Sequence, residues 1–343
     1  MMPPPDRQRV LLLGSTGTIG RATLRALVAR GHEVVCVLRQ PVGDRVAHPV
    51  PPGPRWQAEP ETFEREARVS VRHGQLLDRD FWVGEAFAGA PFDAVVSCLA
   101  SRTGVPADAW AVDHQAHVMA LAAAQAAGVR QMVLLSAICV QRPVLAFQHA
   151  KLAFERQLID SGMAYSIVRP TAFFKSLSGQ VERVRQGGRF MMFGDGRLTS
   201  CKPIDDDELG AYIAECLTHP ERLNRILPIG GPGPAITPYE QGERLFEMLG
   251  RRPHYRRVPV RLLDLIIGGI STAGRLMPSL ADRAELARIG RYYATESMLV
   301  WDAMAGRYDP DATPETGSRT LWDHYRDLIE GRRQHARSDH SVF

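Results

Sequence analysis

No stretch of this chain approaches the ~18 to 20 consecutive apolar residues of a membrane-spanning helix. The nearest, residues 262–270 (LLDLIIGGI), is short and carries Asp264. Cysteine is scarce: five thiols, Cys36, Cys98, Cys139, Cys201 and Cys216, with no Cys-x-x-Cys pair among them. Zinc and iron–sulfur sites draw on closely spaced thiols, so no metal site is expected. This usage fits a reducing, cytoplasmic compartment. A large surplus of one charge is also lacking. The 42 basic residues against 38 acidic ones leave a net +4, dispersed along the chain. That suits small anionic ligands and gives no footprint for nucleic acid. Residues 1–9 are polar and proline-rich, so no secretory leader is expected.

What the chain has instead is material for a large core. Its 343 residues, 45% of them hydrophobic, can bury one large domain or a domain plus a smaller lobe. Residues 10–13, 33–38, 69–73, 92–99, 130–136 and 165–169 read as strands. Helices are predicted over 21–29, closed by Gly31, over 110–127, ended by Gly128, and over 151–161, ended by Gly162. Continuously apolar strands alternating with helices call for a parallel sheet covered on both faces, a doubly wound α/β Rossmann fold. Beyond Pro170 the alternation loosens. There 208–217, 238–249, 260–276 and 280–301 read as helices, and 227–231 as a strand. The expected division is a nucleotide-binding domain over 7–170, with returning segments around 196–231, and a smaller C-terminal substrate lobe over 171–333. Residues 41–60 read as an irregular loop and 334–343 as a disordered tail.

The strongest local signal is Gly14-Ser15-Thr16-Gly17-Thr18-Ile19-Gly20, directly after the first strand. At this spacing the first glycine permits a tight turn. The second lets backbone approach a pyrophosphate, and the third lets helix and strand pack closely. The helix start then offers N–H groups and a partial positive charge to the phosphates. NAD-binding folds end the second strand with an acid for the ribose 2′-hydroxyl, but Arg39 stands here with no acid beside it. An arginine grips a 2′-phosphate through paired charged hydrogen bonds, so NADPH is the expected cofactor. A solvated surface arginine is the competing reading. Gln75 and Leu76 are expected near the adenine or in a plain surface loop. Asp78 is expected as a helix N-cap, and Leu99 and Ala100 along the cofactor floor.

These residues resemble the atypical short-chain dehydrogenase/reductase family. The likeness is carried by the glycine loop, by Ser136 at the end of the fifth strand, by Arg169-Pro170 and by PIDDDELGAYIAECL. It is also carried by Phe147-Gln148-His149-Ala150-Lys151, which stands where the larger family has Tyr-x-x-x-Lys. The resemblance implies that Lys151 holds the nicotinamide ribose or relays a proton. It implies that Ser136 touches substrate or cofactor, or else caps a local turn, and that Pro170 lines the cofactor site. Phe147 replaces the family's acid–base tyrosine and has no proton to give, which disfavours ordinary alcohol dehydrogenation.

Within that family, VVSCLASRTG, VLLSAICVQRPVLAFQHAKLAFERQL and YSIVRPTAFFKSL resemble the branch that reduces a vinyl group on a tetrapyrrole with NADPH. The implied substrate is a divinyl chlorophyllide carrying its own magnesium. Hydride adds to the outer vinyl carbon and the macrocycle spreads the charge, so the lost tyrosine is less needed. A flat apolar carboxylate calls for aromatic walls and a basic rim. Phe147, Phe173 and Phe174 are candidate walls and Lys175 a candidate rim, with core packing the leading alternative for each. Residues 262–270 are left with three uses: packing of the second lobe, a cover for the pocket, or peripheral contact with a membrane. Two other readings fit the same residues: a non-catalytic NADP(H)-binding sensor or structural subunit, and a reductase of another conjugated alkene.

Overall fold

Apolar runs become β1 (Arg9–Leu13), β2 (Glu33–Arg39), β4 (Ala94–Ser97), β5 (Gln131–Leu135) and β6 (Ala164–Pro170), and the mostly half-exposed stretch Val69–Gly74 becomes β3. The computed structural model describes residues 7–40, 68–274 and 278–332. The loop and tail expected at 41–60 and 334–343 lie outside the described residues. After β7 (Phe190–Phe193) comes β8 (Arg225–Ile229), which completes a seven-stranded sheet in the order β3-β2-β1-β4-β5-β6-β8. Every pairing in it is parallel. Side chains alternate across the pleat, so Leu11, Leu13, Val35 and Val95 enter one core while Val10, Leu12, Val34 and Val96 enter the other. That two-sided burial is why the strands read as unbroken apolar runs.

Helices cover both faces. On one lies a single rod made of α2 (Pro106–Ala109), a π-helical stretch (Trp110–Ala116) and α3 (His117–Ala126), next to α4 (Ala146–Asp160). On the other lies α1 (Thr18–Ala29). Gly31, Gly128 and Gly162 follow α1, α3 and α4 with φ of 85°, 73° and 76°, the left-handed geometry that stops a helix. Asp78 accepts a hydrogen bond from the Asp80 N–H at 2.9 Å, as an N-cap does.

The second half adds α5 (Phe174–Leu177), α6 (Val181–Arg185), α7 (Asp206–Glu215), α8 (Pro238–Met248), β9 (Tyr255–Val258), α9 (Val260–Gly274) and α10 (Pro278–Thr295). A hairpin of β10 (Val300–Asp302) and β11 (Arg307–Asp309) and a last helix, α11 (Leu321–Ile329), follow. β7 pairs with β9 in a separate two-stranded sheet over a core of Phe174, Phe190, Leu245 and Tyr325. α7 returns to the first half and packs on α1, where Gly210 lies so near Ala22 that an added Cβ would come within 2.5 Å of backbone. The helix expected over 280–301 ends at Thr295. Ser297 Oγ accepts from the Ser200 N–H and the Met298 N–H donates to Ser200 O, drawing the chain out of the helix into β10.

Candidate active site

All seven strands of the sheet point one way, so β1, β2, β4, β5 and β6 open on one edge. The strand order reverses between β1 and β4, and a parallel sheet forms its ligand crevice at such a point. Gly14 turns there at φ +75°, with Cys98 backbone 2.6 Å from where a Cβ would sit, and Leu99 N at 2.7 Å. A Cβ on Gly20 would lie 2.0 Å from Gly14 O. Thr16 and Gly17 are exposed, while Ser15, Ile19 and Gly20 are buried. Gly17 begins α1 without a side-chain cap, and the first turn holds no acid. The N–H groups of this turn therefore face an open, electropositive edge, which fits a pyrophosphate. Lys175 reaches the same spot from α5 and donates to Thr18 Oγ1 at 2.9 Å.

Arg39 closes β2 on this edge and is exposed. Gln75 donates to Gln40 O at 2.8 Å, while Leu76 packs against the core. Ala100 is exposed beyond the buried Leu99. Pro170 ends β6 opposite Ile229.

Behind this edge sit three buried polar groups joined to the rod and α4. Lys151 Nζ lies 2.9 Å from Asp113 Oδ1, with Asp113 fully buried and Lys151 11% exposed. The same oxygen accepts the Ser101 N–H. Asp113 belongs to the π-helical stretch, a geometry that often marks functional positions. Ser136 Oγ donates to Glu155, which also holds Arg169 in a buried ion pair. His117 bonds Val112 O through Nδ1 and Ser97 Oγ through Nε2. Burial, reinforced by the Lys151 charge, pushes this imidazole down to about 4, so it is neutral at pH 7. A neutral ring bonded this way donates from Nδ1 and accepts the Ser97 hydroxyl at Nε2.

Asp113, Glu155 and His117 were not anticipated. One signal was available: Gln148, Lys151 and Glu155 recur at i, i+3 and i+7, a polar stripe on the face of α4 that also carries Phe147, Phe154 and Leu158. The residues expected around a substrate do not share one surface. Phe174 is 1% exposed and sits in the second-lobe core. Phe173 packs partly against the main core. Phe147 packs with Ile289, Tyr292 and Met298, so α10 lies over the position where the resemblance implies a tyrosine.

Comparison with known proteins agrees with this geometry. Residues 14–220 match the NAD(P)H-binding family. The chain is 44% identical over 348 residues to the chloroplastic divinyl chlorophyllide a 8-vinyl-reductase of Cucumis sativus, covering 99% of this chain and 80% of that protein. It is 45% identical over 330 residues to the same-named protein of Oryza sativa subsp. indica, covering 95% and 79%. In fold it resembles an NADPH-dependent quinone oxidoreductase from Escherichia coli, with a TM-score of 0.64 at 18% identity over 93% of this chain and 99% of that one. The chain belongs to the NAD(P)H-binding family and, within it, to the divinyl chlorophyllide a 8-vinyl-reductases.

Proposed function

We propose that this chain reduces the 8-vinyl group of a divinyl chlorophyllide to an ethyl group with NADPH. The observation that carries this is the likeness, along 95–99% of the chain, to reductases so named. Bound NADPH supplies the hydride. The glycine turn and the uncapped start of α1 hold the pyrophosphate, and Lys175 adds a positive charge beside them. Arg39 receives the 2′-phosphate at the end of β2. An ammonium has three donors; Asp113 takes one and fixes the side chain of Lys151, leaving the others to orient ribose hydroxyls. Phe147 offers no proton, which suits a substrate whose macrocycle can carry charge after hydride addition.

Peripheral contact with a membrane belongs to the same reading. No helix among the described residues is long and apolar enough to cross a bilayer. α9 nevertheless presents Leu262, Leu265 and Ile266 to solvent, Leu265 at 73% exposure. Mixing the purified chain with NADPH and divinyl chlorophyllide tests the central claim. The macrocycle absorption is expected to shift as NADPH is consumed. Tight NADPH binding without any shift would instead mark a non-catalytic binder.

A further inference from the structure

A chlorophyllide carries a free carboxylate where a chlorophyll carries its ester. That acid hangs from the pyrrole ring across the macrocycle from the one with the 8-vinyl group. Its partner must therefore stand a macrocycle's width from the hydride. Lys175, expected to take it, lies instead beside the glycine turn on Thr18 Oγ1. Lys151 is 11% exposed and held by Asp113 at the place proposed for the ribose. Arg169 is in the buried pair with Glu155. Arg39 closes β2, across β1 from β4. None of these places suits the acid.

The loop that leaves β4 runs to one that does, and its anchors mark the route. Leu99 N lies 2.7 Å from where a Cβ on Gly14 would sit, at the turn proposed to hold the pyrophosphate. The Ser101 N–H donates to Asp113 Oδ1 at 3.1 Å, the oxygen that also pairs with Lys151. Thr103 donates twice to Asp108 Oδ2, from its N–H and from Oγ1, each at 2.8 Å. Gly104 turns at φ +73°, where an added Cβ would lie 3.1 Å from Ile289 and 3.4 Å from Phe147. Over residues 99–104 the loop thus passes from the phosphate turn to Lys151 and on to the meeting of Phe147 with α10. Arg102 is on this track, one Cα step of ~3.8 Å from Ser101 and two from Gly104. Ser101 is buried and Arg102 is exposed, so the loop directs this side chain away from Asp113 and out to solvent at the crevice rim.

We propose that Arg102 receives the free carboxylate of the substrate and makes this chain selective for the unesterified pigment. A guanidinium presents a planar fork that matches a carboxylate with two parallel hydrogen bonds. The anchors on Ser101 and Thr103 fix the backbone on both sides of the arginine before any ligand arrives, which limits the ordering that binding requires.

The inference rests on the reductase reading, and the test separates the two. The unmodified full chain, Arg102→Ala and Arg102→Lys are compared, with NADPH, on divinyl chlorophyllide and on its methyl ester, in which the acid is blocked. The unmodified chain is expected to show a KM ~10-fold lower for the acid than for the ester, as a charged hydrogen-bonded pair warrants. Arg102→Ala is expected to raise the KM for the acid to that of the ester, with kcat, the ester's KM and NADPH affinity within twofold of the unmodified chain. Arg102→Lys should recover part of the preference, since it keeps the charge and loses the fork. Equal shifts for acid and ester, or no shift for either, overturn the assignment. If Arg102→Ala fails to fold, Arg102→Gln carries the same comparison. An unmodified chain that reduces neither pigment sinks the reductase reading instead. Fluorescence titration of both pigments onto the NADPH-loaded chain then still decides on Arg102: a preference for the acid that Arg102→Ala abolishes keeps the site, and equal binding of acid and ester removes it.

Discussion

Two side chains carry the predictions made at this scale. Arg39 stands alone at the end of β2, where an acid would select the unphosphorylated cofactor. Arg39→Ala is expected to weaken NADPH binding about 10-fold or more, since hydrogen bonds to charged groups are worth ~1.5–3 kcal/mol. NADH binding should change little, and parallel titrations that show equal losses remove the role. Lys151 has a structural part that can be tested apart from any role in turnover. Its ammonium is the charged partner of a fully buried carboxylate, so Lys151→Ala leaves Asp113 uncompensated. A loss of about 3–5 kcal/mol in unfolding free energy is expected, read from urea midpoints. Pairing Lys151→Met with Asp113→Leu should recover most of that stability and none of the turnover. The sequence showed Lys151 and Arg39 because each sits at a fixed offset from a motif. Asp113 was hidden in an alanine-rich run, since nothing local says which rod residue will face α4.

At the scale of elements, strands and helices of the first half could be read because strands such as β1, β2 and β5 are buried on both faces and α1, α3 and α4 stop at left-handed glycines. The later elements were harder. β9 spells Tyr-Arg-Arg-Val and, among the described residues, pairs with the short β7 alone, so it lacks both alternation and a long apolar run. The π-helical turn in the rod is invisible to periodicity, yet it brings Asp113 to Lys151 and is followed by His117 beneath β4. His117 gives the rod a pH dependence. Its folded value of about 4 lies below the ~6.5 of an unfolded histidine. Between those values the unfolded chain takes up a proton that the native chain refuses, so stability falls with acid. The sign is a loss of about 3 kcal/mol from pH 6.5 to 4. Denaturant titrations of the chain and of His117→Gln should diverge over that window, and parallel curves would remove the effect.

On the scale of the whole molecule, two segments of the stretch expected to return to the first half, α7 and β8, pack on it. β8 pairs with β6 in the main sheet, and α7 lies on α1, joined by Arg25–Asp207 and Arg30–Glu215. Gly210 allows that approach because the Ala22 backbone occupies the space of any larger side chain. Expressed alone, residues 7–170 would leave β6 as an unpaired edge and the apolar flank of α1 wet. That fragment is expected to aggregate and to become soluble when co-expressed with residues 171–332. A freely soluble, NADPH-binding 7–170 would contradict this. The close seating of α7 also has a bearing on how such a chain can diversify. Because α1, the helix proposed to hold the phosphates, is roofed by residues from beyond the sixth strand, the first half cannot be swapped onto another second half as an independent cassette. New specificities have to arise by altering loops and α9–α10 while the α1–α7 seam is inherited intact.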